Sequence, residues 1–223
     1  PCVTEEGVLE GVITIGDITK SYMNLYDSSI ISKANTKYSN ILDTLEGSIV
    51  VGDAEAYFDK GKVLIAAANP DLMENYIEKH DLVILGNRYE SQLCAIEMEA
   101  GCIIVCEGAG VSLTIRKLAQ ERGCTVITTP YDTYTTARLI NQSMPISYFM
   151  TMENIIGFSD EDPIDDIRDI MANKRHRDFP ILDKGRRRTG VSVCNNDRHV
   201  GNKRRPIRPF VLLRLCIWQH PNG

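Results

Sequence analysis

The middle of the chain alternates short, continuously apolar runs with segments whose apolar residues recur at helical spacing. The apolar runs cover residues 63–68, 82–85, 102–106 and 125–128. The helical patterns follow them at residues 70–77, 91–100, 112–122 and 132–141. Because apolar strands joined by crossover helices are buried on both faces, these repeats predict an α/β domain with a mainly parallel sheet. Residues 49–51 predict one additional strand.

The two flanks of this region follow a different pattern. At the front, a turn at residues 5–7 and a strand at 9–15 precede a helix predicted at 18–26, which Asp17 would open. At the rear, an apolar entry at 155–158 leads to a helix from Pro163 to about residue 173 and a strand at 179–182. The flanks therefore predict two small β/α pieces on either side of a complete α/β domain.

The 223 residues suffice for one or two compact domains. No apolar run of about 18 residues occurs, and the first seven residues lack the layout of a secretory signal, so we interpret the chain as cytoplasmic without membrane contact. Its seven cysteines form no C-x-x-C pair, which favours reduced thiols over a zinc site. The four histidines stand alone. The composition therefore predicts no metal site.

The net charge of −5 conceals a discontinuity. Residues 1–183 carry 15 basic and 29 acidic side chains, whereas residues 184–223 carry 10 basic and one acidic. A basic arm for nucleic acid is one interpretation. A shifted reading frame after residue 183 is another interpretation. We favour it because the tail shows no sequence pattern of a DNA-recognition helix or of an aromatic surface on which bases stack. It predicts a disordered tail, the loss of the last strand and helix of the rear piece, and no nucleic-acid partner.

Several segments carry a family resemblance: residues 11–26, 44–52, 87–92, 128–150, which include the string Asp-Thr-Tyr-Thr-Thr-Ala-Arg, and 158–183. They resemble the regulatory insert of manganese-dependent, family II inorganic pyrophosphatases, in which a DRTGG domain separates two CBS modules. The DRTGG string itself is replaced here by residues 86–92. The resemblance implies a first CBS piece at 1–38, a DRTGG-like domain at 39–145, a second CBS piece at 146–183 and an atypical tail at 184–223. Both CBS pieces would be incomplete.

The same resemblance implies the function of a regulatory fragment. CBS modules of this family bind adenine nucleotides: AMP and ADP typically inhibit, whereas ATP or diadenosine polyphosphates can activate. They usually pair across a homodimer. The catalytic part, with its Asp-His-His string and manganese, has no counterpart among these residues. We therefore expect no catalytic residue and no cofactor in this chain, and no pyrophosphate hydrolysis by it alone.

Thr14 and Asp17 are the first candidates for nucleotide binding. A hydroxyl and a carboxylate at a strand-to-helix turn suit a phosphate and the two ribose hydroxyls, respectively, and this matches the ribose motif of CBS modules. The alternative is that Asp17 only caps its helix. In the rear piece, Arg175 and Arg177 would bind phosphate, while Phe179 and Pro180 would flank the adenine. The alternative is a solvated basic turn before a core strand, with Phe179 simply buried. The apolar lining of the base would come from two further residues, Ile156 and Phe158, although core packing explains them equally well.

Two further readings stay open at this point. Residues 107–110, Glu-Gly-Ala-Gly, suggest a phosphate loop but lack the ending of a P-loop, so a tight turn is favoured. The DRTGG-like domain with its CBS pieces would also suit another enzyme, for example one resembling phosphotransacetylase. Sequence encoded upstream of Pro1 would separate this alternative from a pyrophosphatase.

Overall fold

The computed structural model describes residues 1–23, 27–159, 161–174, 178–183 and 188–193. Packing divides the chain into two units. The larger unit is Thr14–Phe149, and the smaller one joins Pro1–Ile13 to the described residues from Met150 onward. The chain therefore enters and leaves the larger unit through the smaller one.

A five-stranded sheet forms the centre of the larger unit. Its strands are β4 (Ser48–Val51), β6 (Val63–Ile65), β7 (Leu82–Leu85), β8 (Cys102–Val105) and β9 (Thr125–Thr128), in the spatial order β4-β9-β8-β7-β6. Strands β6 to β9 run parallel, and β4 pairs antiparallel with β9. The predicted α/β domain with a mainly parallel sheet is confirmed.

Both faces of the sheet are buried, as continuous apolar strands require. On one face, Val83, Leu85, Ile103 and Val105 pack with the helices that connect the parallel strands. These helices are α4 (Pro70–Met73), α5 (Tyr89–Glu97) and α6 (Leu113–Arg122). On the other face, Leu82, Ile84, Cys102 and Ile104 pack with α2 (Ile30–Lys33) and α3 (Tyr38–Thr44).

Helix α7 (Thr133–Leu139) follows β9 and lies on the face opposite to α6. Its buried Thr136 hydroxyl lies 3.6 Å from the Cys106 thiol, and Ala137 packs against the core cluster that contains Ile104. Successive strands β8 and β9 therefore send their helices to opposite sides of the sheet. The loop between β9 and α7 lies at the carboxyl edge of the parallel strands, where ligands of α/β proteins commonly bind.

Helix α7 begins at a side-chain cap. The Asp132 carboxylate accepts hydrogen bonds from the Thr135 amide at 3.0 Å and the Thr135 hydroxyl at 2.6 Å. Both hydrogen bonds lower the pKa of Asp132, and the bond from the Thr135 hydroxyl has the larger effect. We expect Asp132→Ala to lower the free energy of unfolding, since a first-turn amide loses its acceptor. Asp132→Asn, which keeps an acceptor, should cost less in the same urea titration; equal losses would contradict the cap.

Some elements of the larger unit were not predicted from the sequence. These are helices α2 and α3 and a two-stranded pair, β3 (Thr36–Lys37) with β5 (Tyr57–Phe58). Ile30 and Ile31 are buried in the same core as Ile104. The packing of this unit thus includes residues before the predicted boundary at 38, and the four predicted domain ranges stay predictions.

The smaller unit contains two antiparallel strand pairs and one long helix. Strand β1 (Cys2–Val3) pairs with β2 (Leu9–Gly11) around the predicted turn at residues 5–7. Helix α8 (Ile164–Lys174) precedes β10 (Asp178–Leu182), close to the predicted bounds. The strand expected at 9–15 is shorter, because the chain turns into a helix after residue 13.

Strand β11 (Arg188–Val193) corrects one expectation about the tail. It pairs antiparallel with β10, so the rear piece does not lose its next strand after residue 183. The alternation Thr189, Val191, Val193 places β-branched residues at every second position, which favours a strand. The disorder expected of the tail concerns residues 184–187 and 194–223, which lie outside the described residues.

Four cysteines are buried in the larger unit: Cys94, Cys102, Cys106 and Cys124. Burial raises the pKa of the Cys124 thiol from 9.0 to about 12. As pH rises above 9, the unfolded chain therefore loses this proton before the folded chain does, and the free energy of unfolding falls, by up to about 1.4 kcal/mol per pH unit for each such thiol. Urea unfolding at pH 8, 9 and 10 should show this fall. Cys124→Ala should make it shallower, and an unchanged slope would contradict the effect.

The described residues contain neither a membrane-spanning helix nor a cluster of metal ligands. No helix there has the length and apolar character needed to cross a membrane. In the same part of the chain, no three His, Cys, Asp or Glu side chains cluster as metal ligands would.

Candidate functional site

Thr14 and Asp17 form a reciprocal cap at the start of helix α1 (Ile15–Met23). The Asp17 carboxylate accepts hydrogen bonds from the Thr14 amide at 2.9 Å and the Thr14 hydroxyl at 2.7 Å. The Asp17 amide donates to the Thr14 hydroxyl oxygen at 3.3 Å. This is the capping-box arrangement, in which Thr14 is the N-cap and Asp17 the third helical residue.

The prediction that Asp17 opens a helix at residue 18 is therefore wrong by one turn. Thr14 is the cap, and the helix begins at Ile15. The reason is local: Asp17 reaches back to the amide that precedes the helix, which only a residue in the first turn can do. The ribose role proposed for the pair keeps its geometric basis, because hydroxyl and carboxylate lie on the exposed side of the turn, beside the positive end of the α1 dipole.

The candidate residues of the rear piece form a separate cluster in the smaller unit. The Phe158 and Phe179 rings lie 4.9 Å apart between centroids, inclined at 44°. Ile167 and Met171 of α8 complete this core, and Ile156 packs against it. Phe179 is only 2% exposed. Core packing therefore accounts for both rings, as the sequence alternative allowed.

Backbone hydrogen bonds hold the same cluster together. The Phe158 amide donates to the Pro180 carbonyl at 2.9 Å, and the Leu182 amide donates to the Phe158 carbonyl at 2.8 Å. Gly157 lies between them: a Cβ there would approach the Leu182 side chain to 2.9 Å and the Pro180 carbonyl to 3.2 Å. Gly157 was not predicted from the sequence, although a glycine between Ile156 and Phe158 in an apolar segment is the signal of a close backbone approach.

Of the eight candidate residues, the structure thus places two at the cap of α1 and four in the core of the smaller unit. Arg175 and Arg177, the remaining two, lie outside the described residues. The positively charged part of the proposed site therefore stays a prediction.

Backbone hydrogen bonds already use the amides at the start of the loop at residues 107–110. The Glu107 amide donates to the Tyr131 carbonyl and the Gly108 amide to the Thr129 carbonyl, both at 2.8 Å. Glu107 and Gly108 have positive φ values of 64° and 62°. Since both amides already have acceptors, this loop is a tight turn rather than a phosphate loop.

Comparisons with known proteins agree with this architecture. The DRTGG domain family matches residues 40–143. The crystal structure of the CBS and DRTGG domains of the regulatory region of Clostridium perfringens pyrophosphatase, complexed with the activator diadenosine tetraphosphate, is 34% identical and superimposes with a TM-score of 0.80. The match covers 87% of this chain and 84% of that one. This chain belongs to the CBS–DRTGG regulatory regions of inorganic pyrophosphatases.

Two curated relatives extend this CBS–DRTGG assignment. A cobalt-dependent inorganic pyrophosphatase of Clostridium perfringens is 36% identical over 182 residues, which are 82% of this chain and 33% of the relative. A probable manganese-dependent inorganic pyrophosphatase of Thermotoga maritima is 25% identical over 191 residues, which are 86% of this chain and 34% of the relative. The chain thus spans about a third of the length of the curated relatives it matches.

Proposed function

We propose that the chain is an adenine-nucleotide-sensing regulatory fragment of an inorganic pyrophosphatase. The observation that carries the proposal is the likeness to the Clostridium perfringens regulatory region, whose crystal structure holds diadenosine tetraphosphate. The intact protein would convert diphosphate and water into two phosphates. Because the relatives are named as cobalt- or manganese-dependent, it would use one of these metals outside the residues of this chain.

The proposed nucleotide contacts begin at the Thr14–Asp17 cap. The Asp17 carboxylate accepts a hydrogen bond from the Thr14 hydroxyl at 2.7 Å. A ribose would replace that donor with its two hydroxyls, which leaves the Thr14 hydroxyl to donate to a phosphate oxygen near the α1 N-terminus. This exchange keeps the carboxylate hydrogen-bonded both with and without nucleotide.

Residues of the rear piece form a second group of proposed nucleotide contacts, which lies within the smaller unit. Ile156 and the backbone around Phe158 and Pro180 would line the base, while Phe179 would hold this lining in place from the core. Arg175 and Arg177 would pair with phosphate charge. An aliphatic lining of this kind suits the face of a purine ring, and the arginines would favour ligands with several phosphates.

Regulation requires that the nucleotide bind two arrangements of the protein unequally. We propose that the CBS pieces undergo this change in a homodimer located in the cytoplasm, as their family resemblance implies. Sedimentation velocity with and without diadenosine tetraphosphate would test the assembly. A monomer at both conditions would contradict it.

Calorimetric titration of the full chain with AMP, ADP, ATP and diadenosine tetraphosphate tests the proposed function. Saturable binding of at least one of them is the expected result, and guanosine monophosphate serves as the control for the base. If none binds, while circular dichroism shows a folded chain, the proposal fails. Equal binding of the guanine control would instead contradict recognition of adenine.

A further inference from the structure

The loop between β7 and α5 lies at the carboxyl edge of the parallel sheet, in the larger unit. It consists of Gly86, Asn87 and Arg88, and α5 begins at Tyr89. Arg88 holds the N-cap position in extended backbone without a side-chain cap, and among the described residues no side chain accepts a hydrogen bond from the first-turn amides of this nine-residue helix. By contrast, Ser112 caps α6. Helix α5 therefore presents uncapped N–H groups at the edge where α/β sheets bind ligands.

Ser91 provides a second observation at the same place. Ser91 is only 5% exposed, and within the described ranges its hydroxyl makes no hydrogen bond. Since no fully buried side-chain oxygen or nitrogen there lacks a partner, this hydroxyl must reach an opening. Helical Cα–Cβ bonds tilt toward the N-terminus, so a side chain in the first turn is directed toward the uncapped amides. Ser91 thus brings a nearly buried, unpaired hydroxyl to the start of α5.

Arg88 adds a charge that the fold itself does not explain. The side chain is exposed, and among the described residues its guanidinium forms no ion pair, not even with Glu90 two residues later. A positive charge at a helix N-terminus is unfavourable because it faces the positive end of the helix dipole. An anion bound between the guanidinium and the helix would turn both into favourable partners.

The loop also has room and a fixed shape. A Cβ added to Gly86 would meet no atom within 4 Å, so there is open space beside the loop. The Gln92 side chain, 3% exposed, donates from Nε2 to the Gly86 carbonyl at 3.3 Å. This bond ties the loop to the first turn of α5 and holds Arg88 next to the uncapped amides.

From this combination we infer that the Gly86–Arg88 loop and the first turn of α5 bind a phosphate group. A phosphate has several oxygens, so it can accept hydrogen bonds from a guanidinium, a hydroxyl and uncapped amides at the same time. Arg88 pairs with its charge, the Ser91 hydroxyl donates to one oxygen, and the amides of the first turn donate to the others. This site belongs to the DRTGG domain and is separate from the nucleotide contacts proposed at Thr14 and Asp17.

Titration of the full chain with inorganic phosphate, followed by amide NMR shifts at constant ionic strength, tests the inference. We expect saturable shifts at Tyr89, Glu90 and Ser91. Arg88→Gln should weaken binding about tenfold or more, and Ser91→Ala several-fold, since charge-assisted bonds contribute more than neutral ones. Arg122→Gln, the same change at the last residue of α6, should leave the affinity unchanged.

Glu90→Gln is expected to change the affinity for phosphate in the opposite direction. Removing the only carboxylate in the first turn of α5 should tighten phosphate binding several-fold, because it removes a repulsive charge. A merely structural role of this turn would not produce tighter binding. Repeating the titrations in Asp17→Asn separates this site from the proposed nucleotide site, and parallel titrations with pyrophosphate and AMP show whether free or esterified phosphate is preferred.

Three outcomes would overturn the inference. The first is the absence of saturable shifts at residues 89–91 with all three probes. The second is equal weakening by Arg88→Gln and Arg122→Gln, which would indicate non-specific charge attraction. The third is loss of the shifts in Asp17→Asn, which would place the phosphate at the nucleotide site.

Discussion

Gly61→Ala is expected to lower the free energy of unfolding of the larger unit by about 3–5 kcal/mol, through a positive-φ penalty and a backbone clash acting together. Gly61 has a φ of 86°, which L side chains rarely adopt. A Cβ at this position would overlap with the His80 carbonyl oxygen and lie 2.6 Å from its carbon and 2.9 Å from the Asp81 Cα. These neighbours are backbone atoms, so no side chain can rotate away.

The His80 backbone has little freedom to move. Its amide donates to the Glu99 carbonyl at 2.9 Å, and Asp81 is 1% exposed and accepts hydrogen bonds from the Lys62 and Glu78 amides, each at 2.9 Å. A shift that relieved the clash at Gly61 would break these bonds. The substitution therefore disturbs the amino edge of the sheet, where β6 and β7 begin.

Gly123→Ala is the matched control. Gly123 also has a positive φ, 68°, at the end of α6, but a Cβ there meets no atom within 4 Å. Gly123→Ala should lower the free energy of unfolding by only about 1–2 kcal/mol, which is the conformational penalty alone. Hydrogen exchange of the Val83 and Ile103 amides, which lie in the central strands, measures both variants in the larger unit alone. Equal costs would show that the close approach at His80 contributes nothing.

Asp17→Asn should weaken AMP binding by about tenfold to a hundredfold, if the nucleotide site is as proposed. The carboxylate would accept two charge-assisted bonds from the ribose, and the amide can accept only neutral ones. The change is nearly isosteric, and asparagine still offers an oxygen to the Thr14 amide, so helix α1 should keep its start. Calorimetric titration with AMP measures the effect.

Asp43→Asn serves as the control for charge. Asp43 is exposed on α3, and its replacement alters the net charge equally. We expect unchanged AMP affinity for this variant. Binding by Asp17→Asn that matches the unmodified chain would remove Asp17 from the site, whereas a parallel loss of helical circular dichroism would trace the effect to the α1 cap.

The sequence predicted the sheet well because its strands are buried on both faces. A run such as Cys102–Val105 is apolar at every position, which few structures other than a parallel strand explain. Helices α2 and α3 escaped prediction because they are short. Their burial depends on Ile30, Ile31 and Ile41 meeting the sheet, a tertiary contact without a local signal.

The candidate site was predictable only in part, for a different reason. Thr14 and Asp17 lie three residues apart, so their pairing follows from local spacing, although the helix start was misplaced by one turn. The packing of Phe158 on Phe179 joins segments about twenty residues apart. Spacing along the chain does not reveal whether such rings face a ligand or each other, and the structure shows them facing each other.

The pairing of Val12 with Thr151 has a consequence for how such chains can be assembled. Each of these residues donates its amide to the other's carbonyl at 2.9 Å, and such partners in antiparallel strands have Cα atoms about 5.5 Å apart. The 136 residues of Thr14–Phe149 therefore leave and rejoin the smaller unit at nearly one point. Those residues form a cassette that a short turn could replace, or that could be inserted into another hairpin, without stretching the host.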